Sequence, residues 1–354
     1  MPEHVETTVR VAEMLGTPTA PLEAMARCGD LAELRRVLAE RRVSQPRWAE
    51  VFNADSAVMQ AEVFGYPVLI KNSGSARTFS VQAWSPSEVS AAYESAARPV
   101  AGGPADGNAH VLVEEDPDGE QVSAEMVVLD EEDIRVVAIT RTVLGPPPAR
   151  QSVRHCVFAH DPLLHNPILR QILTRTVRAL GIKLGVLSVR MRLTRKGPRV
   201  TDVSPHLAGD LIPLVVKHAT GVDLPRIAGD LAIGRTPKLT AIRQRAAAVQ
   251  FLYAPVTGHV HRLAVHPHAE RQPLLDRIVL TQQLGNHVTS GPHANASDRI
   301  AHLVVLGPDA PSCHSVLDRA SQYVHTEIEP VQVEPAGSPV MHVDRHAWTT
   351  ACSR

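Results

Sequence analysis

The feature that most constrains this chain is the segment 181–210, where two strand patterns meet at a tight polar turn. Apolar and polar residues alternate over Val186–Leu193 and again over Pro198–Ser204, and the triplet RKG stands between them. Alternation with period two is typical of strands that bury one face, and a short break containing Gly is typical of a hairpin. We therefore predict two antiparallel strands that run directly into a loop and a helix, with Arg190 and Asp202 on adjacent strands.

The composition excludes several classes of protein. A chain of 354 residues can bury a large core and form one multi-lobed protein or a few subdomains. Lys and Arg number 36 against 37 Asp and Glu, so no basic face of the kind that binds nucleic acid is expected. The four cysteines lack any CxxC spacing, which argues against a disulfide scaffold or a zinc ribbon. No apolar run reaches the length of a membrane span or a signal peptide, so we expect no membrane partner and a cytoplasmic location.

Helical and strand patterns alternate along the chain, which predicts an α+β fold. Helical periodicity marks 20–27, 31–43 and 162–180, with Asp30 as the expected N-cap of the second segment and Ser85 as the cap of a further helix. Strand patterns fall at 64–71, 81–84, 110–116, 120–130 and 133–144. From about residue 238 the pattern changes: 249–263 is predicted as a hairpin, and a small α/β unit follows it.

The hairpin, together with four further segments in the same order, resembles the ATP-grasp superfamily in its carboxylate–amine (amino-acid) ligase branch. The hairpin is similar to the family pattern GvthtEvrlt…GPrviEiNpRlgGD. The other similar segments are 28–48, 64–96, 110–128 and 219–237. The resemblance implies an ATP-grasp fold, in which two α+β lobes enclose a cleft. It also implies that the family's N-terminal Rossmann-like domain is largely missing and that a small C-terminal α/β lobe follows.

The resemblance divides the chain into five regions. They are a shortened N-terminal helical segment (1–60), the ATP-grasp N-lobe (61–108), the hinge and C-lobe (109–238), the C-terminal α/β lobe (239–333) and a tail (334–354).

The family binds ATP between its lobes, which implies ATP as a cofactor here. Lys71 stands at the place of one of its two phosphate lysines, whereas Leu31 stands at the place of the other. The resemblance gives cofactor-binding roles to five further residues, two in the loop after Lys71 and three in the acidic hinge: Ser75, Thr78, Glu114, Glu115 and Glu120. Two alternatives stay open. Lys71 could be a surface lysine at a strand end, and the acidic hinge could be a solvated turn.

The family's metal cage is the most altered part. Its two Glu, one Asn and one Arg are replaced by Arg190, Asp202, Ser204 and His206. Asp202 is the remaining candidate ligand for Mg²⁺, which prefers hard oxygen donors, but Arg190 puts a permanent cation beside it. We hypothesise that the two-metal site does not form and that Arg190 pairs with Asp202. Arg190 then either binds a substrate carboxylate or phosphate directly or is a structural ion-pair partner, while His206 is a candidate acid/base.

Three functions follow from the altered site. The first is an atypical ATP-grasp protein of small-molecule biosynthesis that binds a small-molecule carboxylate or amino-acid-like ligand in a cleft lined by Lys71, Arg190, Asp202 and His206. The second is an active ATP-dependent ligase that forms an amide through an acyl phosphate. The third is a non-catalytic partner of an active ligase. Loss of the covering N-terminal domain also favours association as a homodimer.

Overall fold

The computed structural model of the protein describes residues 5–73, 80–98, 111–145, 151–291 and 294–331. The helices of these residues are α1 (Val5–Leu15), α2 (Leu22–Gly29), α3 (Leu31–Glu40), α4 (Ala54–Phe64), α5 (Pro86–Ala96), α6 (Pro167–Leu180), α7 (Ile212–Thr220), α8 (Leu224–Ala232) and α9 (Ala310–Ala320). None of them is long and apolar enough to cross a membrane.

The strands of the described residues run antiparallel to their neighbours in three sheets. They are β1 (Trp48–Val51), β2 (Val68–Asn72), β3 (Ser80–Ala83), β4 (Val111–Glu115), β5 (Glu120–Val128), β6 (Ile134–Leu144), β7 (Ser152–Phe158), β8 (Gly185–Thr194), β9 (Gly197–Ser204), β10 (Ala246–Tyr253), β11 (Gly258–Val265), β12 (Leu275–Leu280), β13 (His287–Val288), β14 (Arg299–Gly307) and β15 (Val324–Pro330). The sheet orders are β1-β4-β2-β3, β12-β14-β10-β7-β6-β5-β8-β9 and β13-β11-β15. The predicted α+β fold is confirmed.

The predicted hairpin of 181–210 is present as β8 and β9, which pair with Arg190 opposite Asp202. Helix caps predicted from the sequence are also present. The Asp30 carboxylate accepts the Glu33 backbone N–H at 2.9 Å at the start of α3. A side-chain acceptor at this position satisfies one of the N–H groups that a helix start leaves unpaired.

The eight-stranded sheet separates two apolar layers. Helices α3 and α6 pack on one face of its β5–β8–β9 end, where Val189 and Met191 point into the core. Helices α7 and α8 cover part of the other face, against residues such as Val127 and Val249. Because successive side chains of a strand point to opposite faces, Arg190 lies on the second face, beyond the cover of these helices.

The four-stranded sheet supplies the opposing lobe. Helices α4 and α5 pack on its outer face around Val68 and Ile70. Its inner face carries Leu69 and Lys71 of β2 and Glu114 of β4, since Leu69 and Glu114 are cross-strand partners. The two lobes therefore face each other with polar side chains at the junction.

The structure departs from the sequence-based prediction in the C-terminal part. The hairpin predicted over 249–263 is wrong, because β10 pairs with β7 and β14, whereas β11 pairs with β13 and β15 of another sheet. Strand β10 also continues the C-lobe sheet across the boundary placed at 239. That boundary does not separate two sheets, and the division into five regions stays a prediction.

Candidate ligand-binding cleft

A polar cleft of about 210 Å³ lies between the two lobes. Its lining combines three cations with four carboxylates: Lys71, Arg190, Arg192, Glu114, Glu115, Asp116 and Asp202. Leu31 at the start of α3 and Gln121 of β5 also line it. Five of the site residues predicted from the sequence therefore lie together here.

Glu114 is the electrostatic centre of the cleft. Its side chain is fully buried, and its two oxygens accept hydrogen bonds from Arg35 Nε and Nη2 at 2.6 and 3.1 Å. Lys71 Nζ donates to the same carboxylate at 2.7 Å. Burial alone raises the pKa of Glu114, but the charges of Arg35 and Lys71 outweigh it and lower the pKa to about 2. The alternative of a solvated acidic turn is wrong for Glu114.

Arg35 was missed by the sequence analysis. It is fully buried, and besides Glu114 it donates to the backbone carbonyls of Val200 and Thr201 at 3.3 and 2.6 Å. It thus connects α3 to both sheets. A signal was present: Leu31, Leu34 and Leu38 form the apolar stripe of α3, and Arg35 falls on that stripe at i+4 from Leu31. A charge on a buried face needs a partner, which here is Glu114.

Lys71 lies where the resemblance placed it. Its residue exposure is only 9%, so the alternative of a surface lysine is wrong. The ammonium points along the inner face of β2 toward Glu114 and lines the cleft. A lysine held by one carboxylate retains further N–H donors, so it can still bind an anion from the cleft. Its role in ATP binding stays a prediction.

The other hinge carboxylates are paired as well. Glu115 accepts from Arg47 Nε at 2.6 Å and also from Arg199 of β9. Asp116 accepts from Gln82 Nε2 at 2.5 Å. These contacts connect the hinge to both lobes, and they leave the predicted adenine- and ribose-binding roles untested.

Glu120 does not reach the cleft. Its carboxylate accepts from Arg141 Nη1 at 2.5 Å on the opposite face of β5, where Arg141 also donates to Asp161 at 2.7 Å. Alternation along β5 instead turns its neighbour Gln121 into the cleft. Glu120 was predicted to bind the cofactor, but its side chain lies on the face of β5 away from the cleft. A shift by one residue along a strand moves a side chain to the opposite face.

Arg190 and Asp202 form the expected ion pair, with Nη2 and Oδ2 3.4 Å apart. The two side chains are 51% and 35% exposed. Solvent screens a pair this exposed, so it adds little to stability and its guanidinium remains accessible from the cleft. In the described part of the chain, no group of three His, Cys, Asp or Glu side chains is placed to hold a metal ion.

Glu125 is a second buried carboxyl on the cleft-facing side of the C-lobe sheet. It is 1% exposed and accepts hydrogen bonds from Ser123 at 2.7 Å and Thr140 at 3.1 Å. Burial raises its pKa, and these hydrogen bonds together with the charge of Arg190 only partly oppose that rise. Alternation along β5 turns its side chain to the same face as Gln121, which lines the cleft.

Of the remaining predicted site residues, His206 lies apart from this cluster. His206 is half-buried, and its Nδ1 lies 2.8 Å from the Leu207 carbonyl oxygen; it is not among the residues that line the cleft. Its role as an acid/base stays a prediction. Ser75 and Thr78 lie outside the described residues.

A further polar cluster on the same side of the sheet was also missed. Asp210 accepts from Arg299 Nη1 at 2.6 Å and lies 3.5 Å from His155 Nε2. Burial raises the pKa of Asp210, but the hydrogen bonds and charges of His155 and Arg299 reverse this and leave it well below its usual range. Arg299 also stacks on Phe251, 3.7 Å from the ring centroid, and donates to Tyr253 Oη at 2.9 Å. Positive φ angles at Asp210 and Leu211 turn the chain into α7.

Comparison with known proteins identifies the fold. No protein-family model matches the sequence. The uncharacterized protein y4rH of Sinorhizobium fredii (strain NBRC 101917 / NGR234) is 27% identical over 332 residues, which are 92% of this chain and 66% of that protein. The chain thus spans just under two thirds of that relative.

Solved structures superpose on a similar share of this chain and on a larger share of their own length. The L-amino acid ligase from Bacillus licheniformis has a TM-score of 0.76 at 16% identity, with 93% of this chain and 79% of that chain covered. Phosphoribosylglycinamide synthetase from Anaerococcus prevotii gives 0.64 at 15%, with 93% and 81% covered. A biotin carboxylase complex from Campylobacter jejuni gives 0.65 at 14%, with 92% and 73% covered. These proteins have the ATP-grasp fold, and the likeness shows that this chain has the same fold, as the sequence predicted.

Proposed function

We propose that the protein is an atypical ATP-grasp protein of small-molecule biosynthesis whose cleft binds an anionic small molecule without a two-metal site. The observation that carries the proposal is the pair of Arg190 and Asp202, which face each other where the resemblance expects two metal-ligating carboxylates. An Arg beside a divalent cation is repelled by it, and the repulsion grows as water is excluded from a cleft. The donors that remain, Asp202 and Ser204, do not fit a two-metal cage.

In this proposal the positive charge of Arg190 replaces that of the metal ion in binding the anionic ligand. Its guanidinium is half-exposed, and a planar fork of N–H donors matches the oxygens of a carboxylate or phosphate. Lys71 lines the same cleft from the other lobe, so a ligand between them meets a cation on each side. Because solved neighbours include an L-amino acid ligase, an amino-acid-like carboxylate and the ATP phosphates are the ligands we propose. Asp202 orients Arg190 within the cleft.

The test compares ligand binding by two matched variants. Arg190→Ala removes the proposed anion contact, whereas Arg195→Ala removes an exposed arginine in the turn of the same hairpin. We expect calorimetric titration with ATP and with a panel of amino acids to show affinity reduced about tenfold or more by Arg190→Ala and unchanged by Arg195→Ala. Equal affinities in the two variants would remove Arg190 from the site.

An active ATP-dependent ligase is the alternative enzyme. The buried Lys71, the hinge carboxylates and the surviving Asp202 support it. Release of phosphate from ATP in the presence of Mg²⁺, at a rate that depends on added amino acids, would establish this activity. The same assay without Mg²⁺ separates it from the metal-independent proposal.

A non-catalytic partner is favoured by a different observation. Helix α1 exposes Val11, Met14 and Leu15 by 47%, 85% and 71%. Exposed apolar groups on one helix are typical of a surface that another chain covers. We expect the double variant Met14→Glu/Leu15→Glu to dissociate any homodimer or ligase complex in light scattering. An unchanged assembly would exclude α1 from the interface.

A further inference from the structure

Helix α6 turns a strongly basic face outward. Its buried side packs into the core through Leu169, Leu173, Val177 and Leu180. The opposite side carries Arg170, Arg175 and Arg178, and all three are exposed. The helix contains no Asp or Glu. Its amphipathic pattern therefore divides apolar from cationic residues, with no mixed-charge surface between them.

This face forms one side of a shallow groove of about 690 Å³, which we call the basic groove. Its lining includes four arginines and one histidine but no carboxylate: Arg41, Arg170, Arg175, Arg178 and His165. The chain as a whole balances 36 basic against 37 acidic residues. The groove is therefore a local concentration of positive charge, distinct from the average surface.

Few of these charges are neutralised within the chain. Arg178 pairs with Glu132 at 3.0 Å. Arg175 donates to the backbone carbonyl of Arg42 at 3.2 Å, a contact that brings one further arginine residue close to the lining. In the part of the chain that the structure describes, Arg178 is the one arginine of the lining within 4.0 Å of a carboxylate.

Arg178 lies in the last turn of α6, where the helix dipole favours a cation, but two other features of the arrangement work against the stability of the helix. Arg170 lies near the N-terminal end of α6, where the helix dipole disfavours a cation, and the first turn has no acidic residue to compensate. Arg175 and Arg178 are three residues apart on one face, a spacing at which like charges repel. Charges kept against local stability are typical of a binding surface.

We propose that the basic groove docks an acidic segment of a protein partner. Arginine forks match carboxylates in pairs, and arginine is enriched in protein interfaces. Arg170 and Arg178 are eight residues apart, about 12 Å along the helix axis, which corresponds to about two turns of an acidic helix laid alongside. Pro167 and Ile168, the latter 58% exposed, offer apolar contact beside the charges. The lining has no Phe, Tyr or Trp to stack nucleic-acid bases, so a protein is favoured over a single-stranded nucleic acid.

The basic groove is separated from the cleft by the C-lobe sheet. Helix α6 packs on the face to which Val189 and Met191 point, whereas Arg190 points to the other. A docked partner therefore leaves the ligand cleft open. The proposal is independent of what the cleft binds.

The test uses the full chain and a fluorescein-labelled, helical Glu-rich peptide, with a peptide in which every Glu is Gln as the probe control. We expect anisotropy to show binding of the Glu peptide that weakens as salt rises, and no binding of the Gln peptide. The double variant Arg170→Glu/Arg175→Glu should lower affinity at least about tenfold. The matched control Arg226→Glu, on an arginine side chain that is 80% exposed on α8, should leave affinity unchanged.

Three results would overturn the proposal. They are no binding of the Glu peptide, equal binding by the two charge-reversed proteins, or binding of a DNA oligonucleotide or tripolyphosphate in place of the peptide. Unchanged thermal unfolding of both variants shows that loss of binding reflects the surface and not the fold. Their titration with ATP, expected to match wild type, separates a failure here from a failure at the cleft.

Discussion

Replacement of Glu114 by Gln is the perturbation whose effect the structure defines most closely. Glu114 is fully buried between Arg35 and Lys71, so the change leaves two buried cations without their carboxylate. Removal of one partner from a buried pair costs about 3–5 kcal/mol. The pKa gives a similar magnitude, because a decrease from 4.5 to about 2 corresponds to about 3 kcal/mol of preference for the ionised form in the folded state.

The pH dependence has a definite sign. Because folding lowers the pKa of Glu114, its stabilisation is fully present above the ordinary carboxyl pKa of 4.5. It is lost as the pH falls through that value toward about 2, where the folded state also becomes protonated. The Gln variant has no such group, so the difference in unfolding free energy between wild type and variant should shrink between these two pH values.

Urea unfolding followed by circular dichroism measures both effects. The matched control is Glu115→Gln, the next residue of β4, whose partners Arg47 and Arg199 are 54% and 19% exposed; because solvent reaches this network, we expect it to cost less than Glu114→Gln. If Glu114→Gln costs no more than Glu115→Gln at neutral pH, the buried network does not stabilise the lobes. A difference between wild type and Glu114→Gln that stays constant down to pH 2 would refute the assignment of the lowered pKa.

The remaining predictions concern Glu125, two buried cysteines and the cap of α3. Folding raises the pKa of Glu125, so the protonated carboxyl stabilises the folded state at low pH and this contribution is lost as the pH rises. The unfolding free energy of Glu125→Gln, measured with urea, should therefore rise relative to that of wild type between pH 4 and pH 8. A fall relative to wild type over that range would contradict the raised pKa. Burial raises the pKa of Cys156 to about 12 and of Cys313 to about 11, so iodoacetamide should label these two thiols only in denaturant, as peptide mapping by mass spectrometry would show; labelling in the native protein would refute their burial. Asp30→Ala should lower the unfolding free energy by about 1 kcal/mol through loss of the α3 cap, and an unchanged urea midpoint would show that the cap is dispensable.

Local sequence patterns predicted much of the secondary structure. The hairpin of β8 and β9 followed from alternation on both sides of a Gly turn, and the caps at Asp30 and Ser85 followed from side-chain chemistry that acts within one helical turn. The resemblance added the order of the segments, and the fold comparison confirms the ATP-grasp architecture.

Contacts between distant segments were harder to predict. The pairing of β10 with β7 rather than β11 depends on which sheet edge is free, and no local pattern encodes that. The salt bridge between Arg35 and Glu114 joins residues 79 positions apart. The resemblance to the family placed Glu120 in the cleft, whereas the strand's alternation directs Gln121 there. A one-residue difference is small in sequence but decides the face of a strand.

The most direct measurement is the calorimetric titration of ATP into wild type and Arg190→Glu, each with and without Mg²⁺. If Arg190 stands in for the metal, wild type binds ATP with an affinity that Mg²⁺ does not raise. Arg190→Glu, which places a carboxylate beside Asp202, then binds ATP only when Mg²⁺ is present. Wild-type binding that requires Mg²⁺ would contradict the account and favour an active ligase.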